Sequence, residues 1–158
     1  MTILKRFLNG PSQEIPNWIT ILFLLFSFAG FVDATYLTIA HFANVIVPCS
    51  LTSGCETVLT SSYSEIFGIP IALFGALYYL TVFALALLYL DTKKAWAIRL
   101  LVMLSGMGFV ISLLLLHIQV FVIHSICVYC VGSAISSTLL FGTGLFAFKK
   151  LKIKEHSA

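Results

Sequence analysis

Four long apolar runs, about Trp18 to Ala40, Ile69 to Leu90, Ala97 to Leu116 and Ile126 to Phe148, take up most of this 158-residue chain. Each reaches the roughly 20 residues that a helix needs to cross the ~30 Å hydrocarbon core of a bilayer. Backbone in lipid must satisfy its own N–H and C=O groups, so runs of this kind cross as helices. With 60% hydrophobic and 9% charged residues, and a mean hydropathy of +1.07, the composition lies far from that of soluble domains. The expectation is an all-α membrane protein, a four-transmembrane-helix bundle that forms one integral membrane domain over residues 1–158.

The basic residues set the orientation, because Lys and Arg next to spans stay on the cytoplasmic side. Lys5 and Arg6 precede the first run, Lys93, Lys94 and Arg99 lie around the second connection, and Lys149, Lys150, Lys152 and Lys154 follow the fourth run. The other two connections, about Phe42 to Gly68 and His117 to Ser125, carry no Lys or Arg. This predicts a multi-pass protein of the cytoplasmic (inner) membrane with both termini cytoplasmic and those two loops outside. The net charge of +3 then reports topology and gives no reason to expect a nucleic-acid partner. A cleaved signal peptide is disfavoured, since the first apolar run exceeds a signal core and no small-x-small site follows closely.

By this topology all four cysteines, Cys49, Cys55, Cys127 and Cys130, lie on the outer side. Paired thiols there normally form disulfides, so two structural staples are the plain reading. Such staples would gain little, because even a 15-residue loop is worth only about 3 kcal/mol and these pairs close shorter ones. An exchanging role explains them better. Ser125 is the expected N-cap of the fourth helix, which puts Cys127 in its first turn, near the free N–H groups that favour a thiolate, and Cys130 one turn deeper. In "SGCETVLTS", Ser53 and Glu56 have capping-box spacing, so the first outer loop is expected to carry a short cap helix with Cys55 in its first turn. Two cysteine pairs, one nearer water and one nearer lipid, suit a two-stage electron relay.

A relay needs a terminal acceptor. The chain has no GxGxxG, and Val131 follows Cys130 where a haem attachment site would need His. A lipid-soluble quinone, ubiquinone or menaquinone, fits what remains. Phe67 and Phe74 are candidates to touch a flat ring. Asp33, inside the first span, is expected to face the bundle, because an ionisable group at that depth costs at least roughly 2.5 kcal/mol. It is read as lining the quinone end or supporting the cap, as a structural hydrogen-bonding group, or, third, as a proton relay. The alternative from another class is a Cys/His metal-binding or chaperone-like membrane module that would draw on His41, His117 and His124, although their spacing matches no standard zinc motif. A reductant conduit running the other way is disfavoured because no cysteine lies near the cytoplasmic face.

The run "PCSLTSGCETVLTSSYSEIFGIPIALFGALYY" from Pro48 to Tyr79, with "CVYC" at Cys127 to Cys130, closely resembles the bacterial branch of the vitamin K epoxide reductase family. The resemblance implies a four-helix bundle around a quinone, capped by the first loop. It also implies electrons passing from a thioredoxin-fold oxidant outside the cytoplasm to Cys49 and Cys55, and from these to Cys127 and Cys130. Cys49 would face the partner, Cys55 would exchange with Cys127, and Cys130 would lie at the quinone ring with Ser61 near it. The chain ends at "KEHSA" with no fused thioredoxin-like domain, so a separate partner is expected. Ala134 stands where animal members carry tyrosine, which favours oxidation of protein thiols over vitamin K epoxide chemistry.

Overall fold

The computed structural model describes residues 15–43, 45, 54–61 and 63–156, the side chains of 152–156 excepted. Four long helices carry the fold. They are α1 (Asn17–Phe42), α3 (Ile71–Thr92), α4 (Ala95–Ile118) and α5 (Val128–His156). A short helix α2 (Gly54–Leu59) and a two-stranded hairpin, β1 (Glu65–Ile66) and β2 (Ile69–Pro70), lie between α1 and α3. A π-helical segment, Gln119–Ile123, continues α4. All four long helices are apolar and long enough to cross a membrane, the third counted as Ala95–Ile123.

Proline sets two of the starts. Pro16 and Pro70 stand at the N-cap positions of α1 and α3, where a fixed φ and a missing N–H cost the helix nothing. Helix α3 stops where Lys93 turns left-handed at φ 51°, and its N–H bonds back to the Tyr89 carbonyl. Lys93 Nζ then donates to Asn17 Oδ1 at 2.6 Å, and the Ile15 N–H donates to the Tyr89 hydroxyl at 2.9 Å. The start of α1 is thereby tied to the end of α3.

Helix α1 packs on α3 and α5, and α4 packs on α5 and α3, which closes a ring of four. Lipid offers apolar side chains no drive to leave it, so the helices associate through close packing at small residues. Gly30 shows how. A Cβ there would collide with the ring of Tyr79, which is fully buried between α1 and α5. The main buried cluster runs from Ile15, Ile19 and Phe23 through Val82, Ala86 and Tyr89 to Ile98, Leu101 and Leu140.

Two features depart from the sequence expectations. The helical bundle carries a small hairpin, pairing Glu65 with Pro70 and Ile66 with Ile69. Its turn residues Phe67 and Gly68 have φ values of 53° and 76°, as a two-residue turn between twisted strands requires. The fourth span also starts later than a Ser125 cap implies. Residue His124 is left-handed at φ 52°, and the Ser125 N–H bonds back to the Gln119 carbonyl at 3.1 Å. Ser125 thus closes the end of the preceding helix in the manner of a Schellman motif, and α5 begins at Val128.

Candidate redox site

Cys127 immediately precedes α5. Its carbonyl accepts the Val131 N–H at 3.0 Å, which makes it the N-cap, and the backbone N–H groups of Tyr129 and Cys130 bond to its sulfur. A side-chain acceptor at the N-cap meets those second and third N–H groups in this way. The Cys130 thiol also donates to Cys127 Sγ and, with the two N–H groups, lowers the Cys127 thiol to about 7. Cys127 is therefore the thiol of the pair that ionises near neutral pH.

The sign of that shift gives a titration. Thiolate at Cys127 should increase with pH through a midpoint near 7, well below the ordinary cysteine value of about 8.5, as followed by ultraviolet thiolate absorbance. Cys130→Ala removes the largest cause and should move the midpoint upward. An unchanged midpoint would mean that the neighbouring thiol does not tune Cys127.

Gln119 supports both cysteines. It is buried, its Oε1 accepts the Cys127 N–H at 3.3 Å, and its side chain also hydrogen-bonds Cys130. The sequence reading did not single it out. The available signal was its chemistry, since it is the one amide in "HIQVFVIHSIC", and a buried amide must find partners.

The cap helix meets this loop backbone to backbone. A Cβ on Gly54 would lie 2.7 Å from the carbonyl oxygen of Ile126 and 2.9 Å from its nitrogen, so only glycine lets α2 approach so closely. The next residue, Cys55, is fully buried in one cluster with Val58 and Cys127, against which Ile123, Tyr129 and Cys130 pack. Cys55 is disulfide-bonded, whereas Cys127 and Cys130 are free thiols. Cys49 lies outside the described residues.

Cys130 also lines a cavity of about 360 Å³ bordered by α1, α2, α3, α4 and α5. The walls are mainly apolar, from Leu37, Leu59, Ile71, Met107 and Leu115 among others, with Asp33, Ser61, Tyr79, Gln119 and Ser133 as polar points. The volume is within the range of about 300–1,000 Å³ usual for small-molecule sites. Tyr79 donates its hydroxyl proton to the Ser133 carbonyl at 2.7 Å, and its oxygen lies 2.9 Å from the hydroxyls of both Ser133 and Ser137. The Ser61 hydroxyl donates to the Val58 carbonyl at 2.7 Å. At the rim of the cavity, His41 pairs with Glu65 at 3.2 Å and joins α1 to the hairpin.

The residues expected around a ring therefore divide. Asp33, Ser61, Phe74 and Cys130 line the cavity. Phe67 does not. It sits fully exposed at the hairpin tip, because a two-residue turn projects its side chains beyond the strands that form it. Tyr79, Ser133 and Ser137 also line the cavity. The metal reading gains nothing from the geometry: Cys55 is occupied by its disulfide, and the described residues hold no group of three His, Cys, Asp or Glu side chains able to share an ion.

A helical membrane bundle that sets a CxxC beside a disulfide-bonded cysteine and against an apolar cavity fits a class, the membrane oxidoreductases. The family is then direct. Residues 21–145 match the model of the vitamin K epoxide reductase family, and the chain belongs to it. Members of this family are membrane oxidoreductases with a quinone as electron partner. The cavity fits such a group, being apolar, large enough for a substituted ring, and open to one buried, unpartnered polar atom, Asp33 Oδ2.

Proposed function

We propose that this protein reoxidises a separate thioredoxin-fold protein outside the cytoplasm, and so drives disulfide formation, by passing electrons through two cysteine pairs to ubiquinone or menaquinone. One observation carries the reading: Cys127 is packed in the cluster of Cys55, and Cys130, which packs against that cluster, also lines the cavity. The pair thus touches both a disulfide donor site and an acceptor site. In this reading residues 1–158 form a single membrane domain with cytoplasmic termini, as the distribution of Lys and Arg favours.

The sequence of events follows from thiol chemistry. The partner's dithiol reduces the disulfide between Cys49 and Cys55 and leaves as a disulfide. Cys55 thiolate then attacks a Cys127–Cys130 disulfide at Cys127, which releases Cys130 as thiolate, and Cys49 attacks Cys55 to release Cys127. The first disulfide is re-formed and the CxxC holds the electron pair. A quinone bound in the cavity would supply the acceptor for two electrons and two protons. Cys127 and Cys130 supply the electrons by forming their own disulfide, with Cys127 stabilised as the thiolate and Gln119 holding the Cys127 backbone N–H and the Cys130 sulfur. Tyr79, fastened to Ser133 and Ser137, fixes the cavity wall one turn beyond Cys130.

The reading is tested by mixing a reduced thioredoxin-fold protein, the purified membrane protein and decylubiquinone without oxygen, and following quinol. Quinol should appear in proportion to the partner thiols consumed. Thiol loss without quinol, or no loss of either, would overturn the proposal.

A further inference from the structure

We infer that Asp33 is the acid that protonates the quinone on reduction, working as a neutral carboxyl in the wall of the cavity. The inference rests on the quinone reading above and adds to it a proton path of the chain's own. Asp33 lies in the middle of α1, within a span, and lines the same cavity as Cys130. Its Oδ2 is buried and has no hydrogen-bond partner among the described residues. A buried polar atom left in this way is costly, a cost that a ligand hydrogen bond would remove.

The surroundings single it out. The one basic residue on the cavity wall is His41, and it is paired with Glu65, eight residues from Asp33 and so about 12 Å along the helix at 1.5 Å per residue. No cation balances Asp33 among the described residues, and a lone carboxylate at this depth is disfavoured against the neutral acid. The titratable groups close enough to respond to its charge are Tyr79 on α3, Cys127 before α5, and Tyr129 and Cys130 on α5. Three other hydroxyl donors on the cavity wall are committed. Tyr79 donates to the Ser133 carbonyl, Tyr78 to the Leu104 carbonyl and Ser61 to the Val58 carbonyl. Asp33 keeps a proton to give.

The balance closes. Two S–H bonds break, one S–S bond forms between Cys127 and Cys130, two electrons move to the quinone and two O–H bonds form on its ring oxygens. Asp33 gives one of the two protons and is reprotonated with the proton that Cys130 loses. The other comes from the Cys127 thiol or, where that is already a thiolate, from water.

Asp33→Asn keeps the shape and a hydrogen-bond donor but has no acid proton. Reduced wild-type and variant proteins, in the absence of partner, are mixed with decylubiquinone for one turnover, and infrared difference spectra are recorded on adding decylubiquinone to each in the oxidised state. The wild type should show a protonated-carboxyl C=O band that shifts when decylubiquinone binds. Asp33→Asn should lack that band, bind decylubiquinone within about threefold of wild type, and form quinol about 100-fold more slowly, the usual loss for a missing general acid. Asp33→Glu should recover part of the rate. A carboxyl band that decylubiquinone does not move, or a variant as fast as wild type, would overturn the role of Asp33 while leaving the quinone reading intact. A wild type that reduces no decylubiquinone would overturn that reading instead. Should Asp33→Asn fail to fold, the wild-type band decides the matter alone.

Discussion

Cys130→Ser should leave a folded protein that accepts one dithiol's worth of electrons from its partner and then stops. The serine hydroxyl occupies nearly the same volume on the cavity wall and can still donate to Cys127 Sγ, so α5 keeps its cap and the bundle its packing. Short-loop disulfides contribute little to a chain already held by lipid, and in this structure Cys127 and Cys130 are free thiols in any case. The partner should therefore still reduce the cap disulfide once. Onward transfer requires a second sulfur to form the Cys127–Cys130 bond, and without it multiple-turnover quinol formation should fall on the order of 10³-fold or more, as when one member of a catalytic unit is deleted. Stopped-flow quinol absorbance measures the loss and circular dichroism the fold. A folded Cys130→Ser protein with near-normal turnover would remove the CxxC from the pathway and return it to a structural role.

The four spans and the positions of the CxxC and the cap helix were legible in the sequence because each depends on local chemistry. Apolar length defines a span whatever its neighbours, and Cys55 does occupy the first turn of a short helix. What the sequence could not show depends on where elements end relative to one another. Cys127 becomes a helix cap, and not a first-turn residue, because the π-helical segment consumes Ser125 in closing the previous helix. That shift is what brings the N–H groups of Tyr129 and Cys130 onto its sulfur. Gln119 reaches both cysteines through the same irregular segment, and no periodicity announces a π turn. Tyr79 reads as one more aromatic in "GALYYL" until Gly30 opposite and Ser133 and Ser137 beside it are placed. Phe67 was misread for the opposite reason. Its aromatic ring suggested ring stacking, but the turn geometry of "IFGIP" sends it outward.

The second large effect is expected at the cap. Cys55→Ser should make the protein hold its partner as a persistent mixed disulfide through Cys49. Cys55 is buried against the loop that carries Cys127, with Gly54 pressed on the Ile126 backbone, and no such burial suits a thiol that must meet a large soluble protein. Exchange between Cys55 and Cys127 is then intramolecular and fast, since proximity of this kind replaces a bimolecular step. When Cys55 is serine, Cys49 is left as a free thiol. It attacks the disulfide of an oxidised partner, forms a mixed disulfide and releases the partner's second thiolate. In the native protein Cys55 competes to resolve that bond and so closes the cap disulfide; in the variant only the partner's own thiolate can, and that step merely reverses the attack. A covalent complex should accumulate on a non-reducing gel, while catalytic quinol formation drops to background because nothing can deliver electrons to Cys127. Cys49→Ser should give no complex. If the complex instead appeared with Cys49→Ser and not with Cys55→Ser, the partner-facing and relay roles of the two loop cysteines would be exchanged, and the buried cluster of Cys55 and Cys127 would not be the route of transfer.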